Sequence, residues 1–210
     1  MDYINGQIAS IALTFEQGGI VMWPILFFSV YAGALIVERS IRYRIVQREI
    51  LRELSAILEL SEYTQKDHER FKNSEVTGRI ARTVFSNCSI PYSDLVDKVR
   101  NAFAEESAQI EKHLGAISVI ATLLPMLGLL GTVVGMIVAF NAIALHGTGD
   151  PKILANGISQ ALITTEAGLV ASIPLIYLHQ VLSARAERLI RKLDGFATHL
   201  THICAQRRGE

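Results

Sequence analysis

Two long apolar stretches decide what this chain can become. Residues 114–145 read LGAISVIATLLPMLGLLGTVVGMIVAFNAIAL, and residues 157–182 read GISQALITTEAGLVASIPLIYLHQVL, with a short polar link between them. Crossing the hydrocarbon core of a bilayer takes about 20 helical residues, so each stretch is long enough to span. In lipid, a helix satisfies every backbone N–H and C=O within its own segment, which makes it the natural form for both. The first stretch is longer than a span needs, so it must tilt or project. Both carry polar side chains at membrane depth: Thr132 in the first, and Thr164, Thr165 and Glu166 in the second. Polar groups there are costly and call for partners, water or a task.

A third apolar run, GIVMWPILFFSVYAGALIV over 19–37, is of spanning length. Trp23 near its start suits a headgroup-level anchor, and Pro24 falls in the first turn, where a missing amide costs least. Residues 2–17 place Ile4, Ile8, Ile11 and Phe15 at helical spacing, which predicts a short helix on the membrane surface. After Glu38-Arg39 the chain turns charged, with apolar positions at Ile41, Ile45, Ile50, Leu51, Leu54, Ile57 and Leu58 that predict an amphipathic helix running out of the membrane. Polar turns are expected over 61–75 and a short helix over 76–89. Ser93 is a candidate N-cap for a helix running unbroken through EESAQIEKHL into the second span.

The 210 residues are half apolar and carry no net charge. Acids interleave with bases, so no unbalanced basic face points to nucleic acid. The distribution of positive charge is more telling. Of twenty Lys and Arg, nineteen lie within 39–112 or 185–208, and the remaining one is Lys152. The positive-inside rule then predicts an outward N-terminus and a cytoplasmic C-terminus. The predicted fold is all-α: a polytopic membrane protein with three transmembrane helices extended into a cytoplasmic helical bundle. The expected divisions are an outward amphipathic segment over 1–17, a first span over 18–37, a cytoplasmic helical region over 38–112, a second span over 113–146, an outward link over 147–156, a third span over 157–182 and a cytoplasmic C-terminal helix over 183–210.

Gly128, Gly131 and Gly135 share one face of the second span, and Gly131-xxx-Gly135 lets a neighbouring backbone approach closely. Pro125 and Pro174 lie inside spans, tolerable where neighbouring helices re-satisfy freed carbonyls. Glu166 has no Lys or Arg within any span to pair with. It is expected at a subunit interface or aqueous cavity, protonated or hydrated; the alternative is that it reaches the outer headgroups. His146 and His179 read as interfacial residues. His199, His202 and Cys204 make only a weak metal signal, so no metal or cofactor is expected. Cys88 and Cys204 are expected to be free thiols in a reducing compartment. No phosphate loop, HExxH or GxSxG motif suggests an enzyme.

The strings Pro125–Met136, PMLGLLGTVVGM, and Gly157–Leu169, GISQALITTEAGL, followed by Ile173-Pro174, resemble the MotA/TolQ/ExbB ion-channel family, and most of all its ExbB branch. The resemblance implies a homopentamer with spans two and three lining a pore, around an ExbD-like single-span protein whose transmembrane Asp carries the proton. It implies a motor in the inner membrane that passes proton-motive force through a TonB-like protein to outer-membrane transport, with membrane lipid around it and no nucleic acid. The family's pore threonines map onto Thr132 and Thr165, beside Thr164, Glu166 and Gln160 as candidate pathway residues; Pro125, Gly128, Gly131, Gly135, Gly168 and Pro174 are candidate packing residues. This chain departs at Gln160, where relatives often carry glutamate, and at Glu166, where many carry an apolar residue. A TolQ-like or MotA-like motor and a non-conducting scaffold are the alternatives. MotA relatives usually have four spans, against three here.

Overall fold

The computed structural model describes residues 15–58, 74–146 and 151–206. They are almost wholly helical, with no strand among them, and three helices are long and apolar enough to cross a membrane. After a 3-10 turn at Gly19–Val21 come α1 (Met22–Leu58), α2 (Thr77–Ser86), α3 (Tyr92–Glu111), α4 (Leu114–His146) and α5 (Pro151–Gln206). The expected surface helix over 2–17 lies mostly outside the described residues; residues 15–18 are helical. The polar stretch at 59–73 also lies outside them. Pro151 opens α5, so residues 151–156 of the expected link are helical; a first-turn proline gives up an amide that has no intrahelical partner anyway. Pro125 and Pro174 sit within unbroken α4 and α5.

The chain forms two compact units, one from Met1–Ile36 with Gly115–Gln180, the other from Val37–Leu114 with Val181–Glu210. In the first, Ile25, Ala32, Ile117, Ala121, Leu124, Ala139 and Ala161 are buried, while Trp23, Phe27, Val30, Met126, Leu129 and Phe140 are exposed. A surface this apolar fits lipid or another membrane helix, not water.

The second unit has an apolar core, but of the apolar positions expected on α1 only Ile50 enters it among those described, while Ile41, Ile45 and Leu51 are exposed. Ile50 of α1, Ile80 and Val84 of α2, Leu95 of α3, and Leu193, Phe196 and Leu200 of α5 form its core. The N-terminus of α2 is capped from α1. Val76, the residue before α2, has no side chain able to cap. Glu49 instead accepts from the amides of Val76 and Thr77 at 2.8 and 2.9 Å, placing negative charge at the helix N-terminus.

The join between α3 and α4 differs from expectation. The helix does not run unbroken from Ser93 into the second span: α3 stops at Glu111, and His113 takes a left-handed φ of 70° before α4 begins. A non-glycine residue there costs about 1–2 kcal/mol. Contacts from α1 offset it. Arg39 donates to the Gln109 carbonyl at 3.2 Å, Tyr43 donates to the Ile110 carbonyl at 2.8 Å, and His113 Nδ1 lies 3.1 Å from Arg39 and 3.3 Å from Glu38, bonding to one or the other according to its tautomer. The last carbonyls of α3 thus find side-chain partners where they would otherwise be orphaned. Burial, opposed by Arg39, pushes the Tyr43 hydroxyl up to about 12, so it remains a donor across ordinary pH. Tyr43→Phe leaves the buried Ile110 carbonyl without this donor and is expected to lower stability by about 1–3 kcal/mol, read as a fall in the thermal unfolding midpoint of the detergent-solubilised chain. Ser93 is not the N-cap of α3. The helix begins at Tyr92 after Pro91, and the Ser93 hydroxyl turns to Asp94.

Two further features were not readable from local pattern. Cys88, just after α2, and Cys204, near the end of α5, are joined as a disulfide with Cα atoms 5.7 Å apart, within the range such a bridge needs. The expectation of free thiols is corrected: α5 brings Cys204 to Cys88 across 116 residues of sequence, beside the Val84 carbonyl at the end of α2. His199 and His202 are exposed, and among the described residues no group of three His, Cys, Asp or Glu is arranged to hold a metal.

The second feature is Glu106 of α3, whose side chain is 3% exposed and pairs with Arg79 of α2. Burial raises its pKa above the usual 4.5, with Arg79 pulling the other way. In the window just above 4.5 the folded chain therefore holds a proton the unfolded chain has lost. This contribution to stability is complete below that value and is lost as pH rises through the folded pKa. Wild type is expected to gain in unfolding midpoint on Glu106→Gln as pH falls through this window; parallel pH profiles would refute the assignment.

Candidate functional site

In the first unit, α4 and α5 meet antiparallel along a seam of small residues. On α4 the buried positions are Leu124, Gly128, Gly131, Gly135 and Ala139; on α5 they are Gly157, Ala161, Thr164, Gly168 and Ser172. Both stripes step by four, three, four and four residues, the spacing that keeps side chains on one helix face. The backbones come close enough to exclude a side chain at the glycines. A methyl group on Gly168 would stand 2.7 Å from the Leu124 carbonyl oxygen and 3.1 Å from the Gly128 Cα. One on Gly135 would stand 2.7 Å from the Gly157 oxygen and 2.8 Å from the Ala161 nitrogen. Lipid tails are as apolar as leucine, so helices in a membrane associate through packing of this closeness.

The hydroxyls at this depth are already engaged. Thr165 donates across the seam to the Gly128 carbonyl at 3.1 Å. Thr164, 0% exposed, shares its proton between the Gln160 and Ala161 carbonyls of its own helix, both at 3.0 Å, and its side chain fills the space above Gly131. Thr132 donates to Leu129 at 2.6 Å, and Ser172 to Leu169 at 3.1 Å. Gln160 lies against Gly19, whose left-handed φ of 68° suits glycine; a Cβ there would push the Gln160 carboxamide aside.

Thr164, Thr165, Gly128, Gly131, Gly135 and Gly168 are therefore brought together. Thr132 and Thr165 remain half-exposed, while Thr164 is enclosed in the seam and Gln160 is packed at the start of the first span. Glu166 stands apart. Two residues beyond Thr164, it is turned by about 200° from the seam and is exposed, flanked on the same face by Leu162, Leu169, Val170 and Ile173, which are also exposed. Gly157, Ala161 and Ser172 were not picked out in the sequence. Their signal was the small-residue spacing on the third span, which repeats that of the second.

The sequence profile of the MotA/TolQ/ExbB proton channel family matches residues 72–195, more than half of the chain. An ExbB homolog of Methanothermobacter thermautotrophicus is 25% identical over 198 residues, covering 92% of this chain and 70% of the relative. Biopolymer transport protein exbB1 of Vibrio cholerae is 38% identical over 91 residues, covering 43% of this chain and 40% of the relative. The Tol-Pal system protein TolQ of Pseudomonas aeruginosa is 34% identical over 105 residues, covering 50% and 46%. The chain thus spans less than half the length of the Vibrio and Pseudomonas proteins. The matched region takes in α2 to α4 and most of α5, including the whole glycine and threonine seam. With its three long apolar helices, this chain is a multi-pass membrane protein and belongs to the MotA/TolQ/ExbB proton channel family.

Proposed function

We propose that this chain is an ExbB-like subunit of an inner-membrane motor, a homo-oligomer of the pentameric kind, driven by proton-motive force. In this reading the N-terminus faces outward and the C-terminus the cytoplasm. The α4–α5 pairs of several copies surround the single transmembrane helices of an ExbD-like dimer, whose aspartate carries the proton. The resulting motion passes to a TonB-like protein and so to outer-membrane transport.

The supporting observation is Glu166. A carboxylate exposed among Leu162, Leu169, Val170 and Ile173 would lie in hydrocarbon if the chain acted alone, at a cost of several kcal/mol, on the order of 3 by insertion scales. The face becomes tolerable when other chains or trapped water cover it. The seam supports the same reading, because it fastens α4 and α5 into one unit without using Glu166. Thr132 and Thr165 serve as the polar positions along the path, and Thr164 serves packing.

Proton flux into vesicles holding this chain and its single-span partner tests the proposal. Flux is expected with both proteins, absent with either alone, and reduced at least tenfold by Thr132→Val with Thr165→Val. No flux under any condition favours a non-conducting scaffold. The Pseudomonas relative supports a TolQ-type motor as the second reading; rescue of a strain lacking TolQ, without rescue of TonB-dependent uptake, would favour it.

A further inference from the structure

The second unit holds a pocket that the motor does not use. It lies between α1 and α5, has a volume of about 120 Å³, and is lined by Tyr43, Arg44, Gln47, Arg185, Arg188, Leu189 and Lys192. Four of these seven carry positive charge. Among the described residues no carboxylate lines it.

The acids on the two flanking helices are engaged elsewhere. On α1, Glu38 holds Arg39 and His113, Glu49 caps α2, and Glu53 accepts from Ser74 at 3.1 Å. On α5, Glu187 pairs with Arg191 at 3.5 Å, outside the pocket, and Asp194 lines a separate groove with Tyr92 and Arg100. Four cations therefore line one small cavity with no carboxylate in its wall; Glu111, at the end of α3, acts on Tyr43 from outside it. Mutual repulsion of this kind is relieved by a bound anion. Tyr43 and Leu189 are buried and close the floor. The Tyr43 hydroxyl already donates to Ile110, so the anion's contacts fall to the guanidinium forks, the ammonium and the Gln47 amide. Three arginines favour a planar or tetrahedral oxyanion that accepts paired hydrogen bonds, and phosphate matches this geometry. Arg185 and Arg188 follow the third apolar run within two helical turns, the stretch where a phospholipid headgroup lies.

We infer that this pocket binds a phosphate group borne by an anion, with an anionic phospholipid headgroup as the expected carrier. Juxtamembrane cations contribute about 1 kcal/mol each, or roughly fivefold in affinity, so removing two should weaken binding about 30-fold.

The test uses the full-length chain in zwitterionic nanodiscs, titrated with phosphatidylglycerol, phosphatidylcholine or inorganic phosphate. Binding is read by native mass spectrometry and by the unfolding midpoint. Phosphatidylglycerol is expected to bind and raise the midpoint, Arg44→Gln with Arg188→Gln to weaken this about 30-fold, and Arg191→Gln to leave it unchanged. Inorganic phosphate binding with the same loss would support the pocket while naming a soluble ligand. Equal binding of phosphatidylcholine, or an unchanged affinity in the double variant, overturns the proposal. A change in oligomer mass without a change in lipid affinity also overturns it, because the cations would then serve another protein. Should the double variant unfold, Lys192→Gln alone is expected to lose about fivefold, and no loss there is equally fatal.

Discussion

Gly168→Val will prevent this chain from forming a stable fold, while Gly33→Ala, a change on the first span, will leave it as stable as wild type or slightly more so. The contrast comes from what surrounds each glycine. At Gly168 the nearest atoms to an added carbon are the Leu124 carbonyl and the Gly128 Cα, both backbone, so no rotamer change can make room. Overpacking of a tight interior costs about 1–3 kcal/mol even where side chains can shift. Gly168→Ala is expected at the upper end of that range, and valine beyond it. At Gly33 nothing lies within 4 Å, so the only effect is the backbone entropy that glycine gives up, about 0.5–1 kcal/mol in favour of alanine. Thermal unfolding in detergent, with protease resistance as a second measure, reads both. A Gly168→Ala chain as stable as wild type would mean the seam is looser than the backbone distances indicate.

Glu166→Leu and Glu166→Gln will each reduce coupled proton flux at least tenfold while leaving the chain inserted and folded. Leucine is the sharper substitution. If Glu166 faced lipid, its removal would stabilise the chain by about 2.5–3.5 kcal/mol and leave flux untouched. If other chains or water cover this face, leucine brings no such gain, and in the proposed motor it removes the carboxyl from that covered face. Retained flux in Glu166→Leu would sink the assignment. Because Glu166 lies outside the seam, either change is expected to leave the α4–α5 packing intact, and an unchanged unfolding midpoint separates a loss of flux from misfolding.

The helical class and the three spans were legible because lipid imposes them. Apolar runs of this length leave the backbone one economical way to satisfy itself. The rotation of Glu166 away from its threonine neighbours followed from helix geometry alone. Other features depended on contacts between distant residues. Nothing in Lys112-His113 signals a break, since neither residue is glycine or proline; Glu38, Arg39 and Tyr43 create it from about seventy residues away. The partnership of Cys88 with Cys204 is equally non-local. The seam was half visible: three glycines on α4 stood out, but their counterparts on α5 include an alanine, a threonine and a serine. Thr164 looked like a pathway residue for the same reason that Thr165 did. Only the packing of two helices distinguishes an enclosed hydroxyl from a half-exposed one.

The back-bonded hydroxyls of α4 and α5 have a consequence for the sign of charge these helices favour. Thr132 and Thr165 have each committed their hydrogen to a carbonyl. What remains outward is oxygen lone pairs, and neither helix contributes a lysine or arginine within its span. In the proposed motor, these two hydroxyls would offer a passing species acceptors and not donors. Hydronium, or a protonated carboxyl on a neighbouring helix, can donate hydrogen bonds there; chloride would shed its water and gain nothing. Under the proposed function, a preference for cations over anions would rest on the direction in which these two hydroxyl hydrogens point.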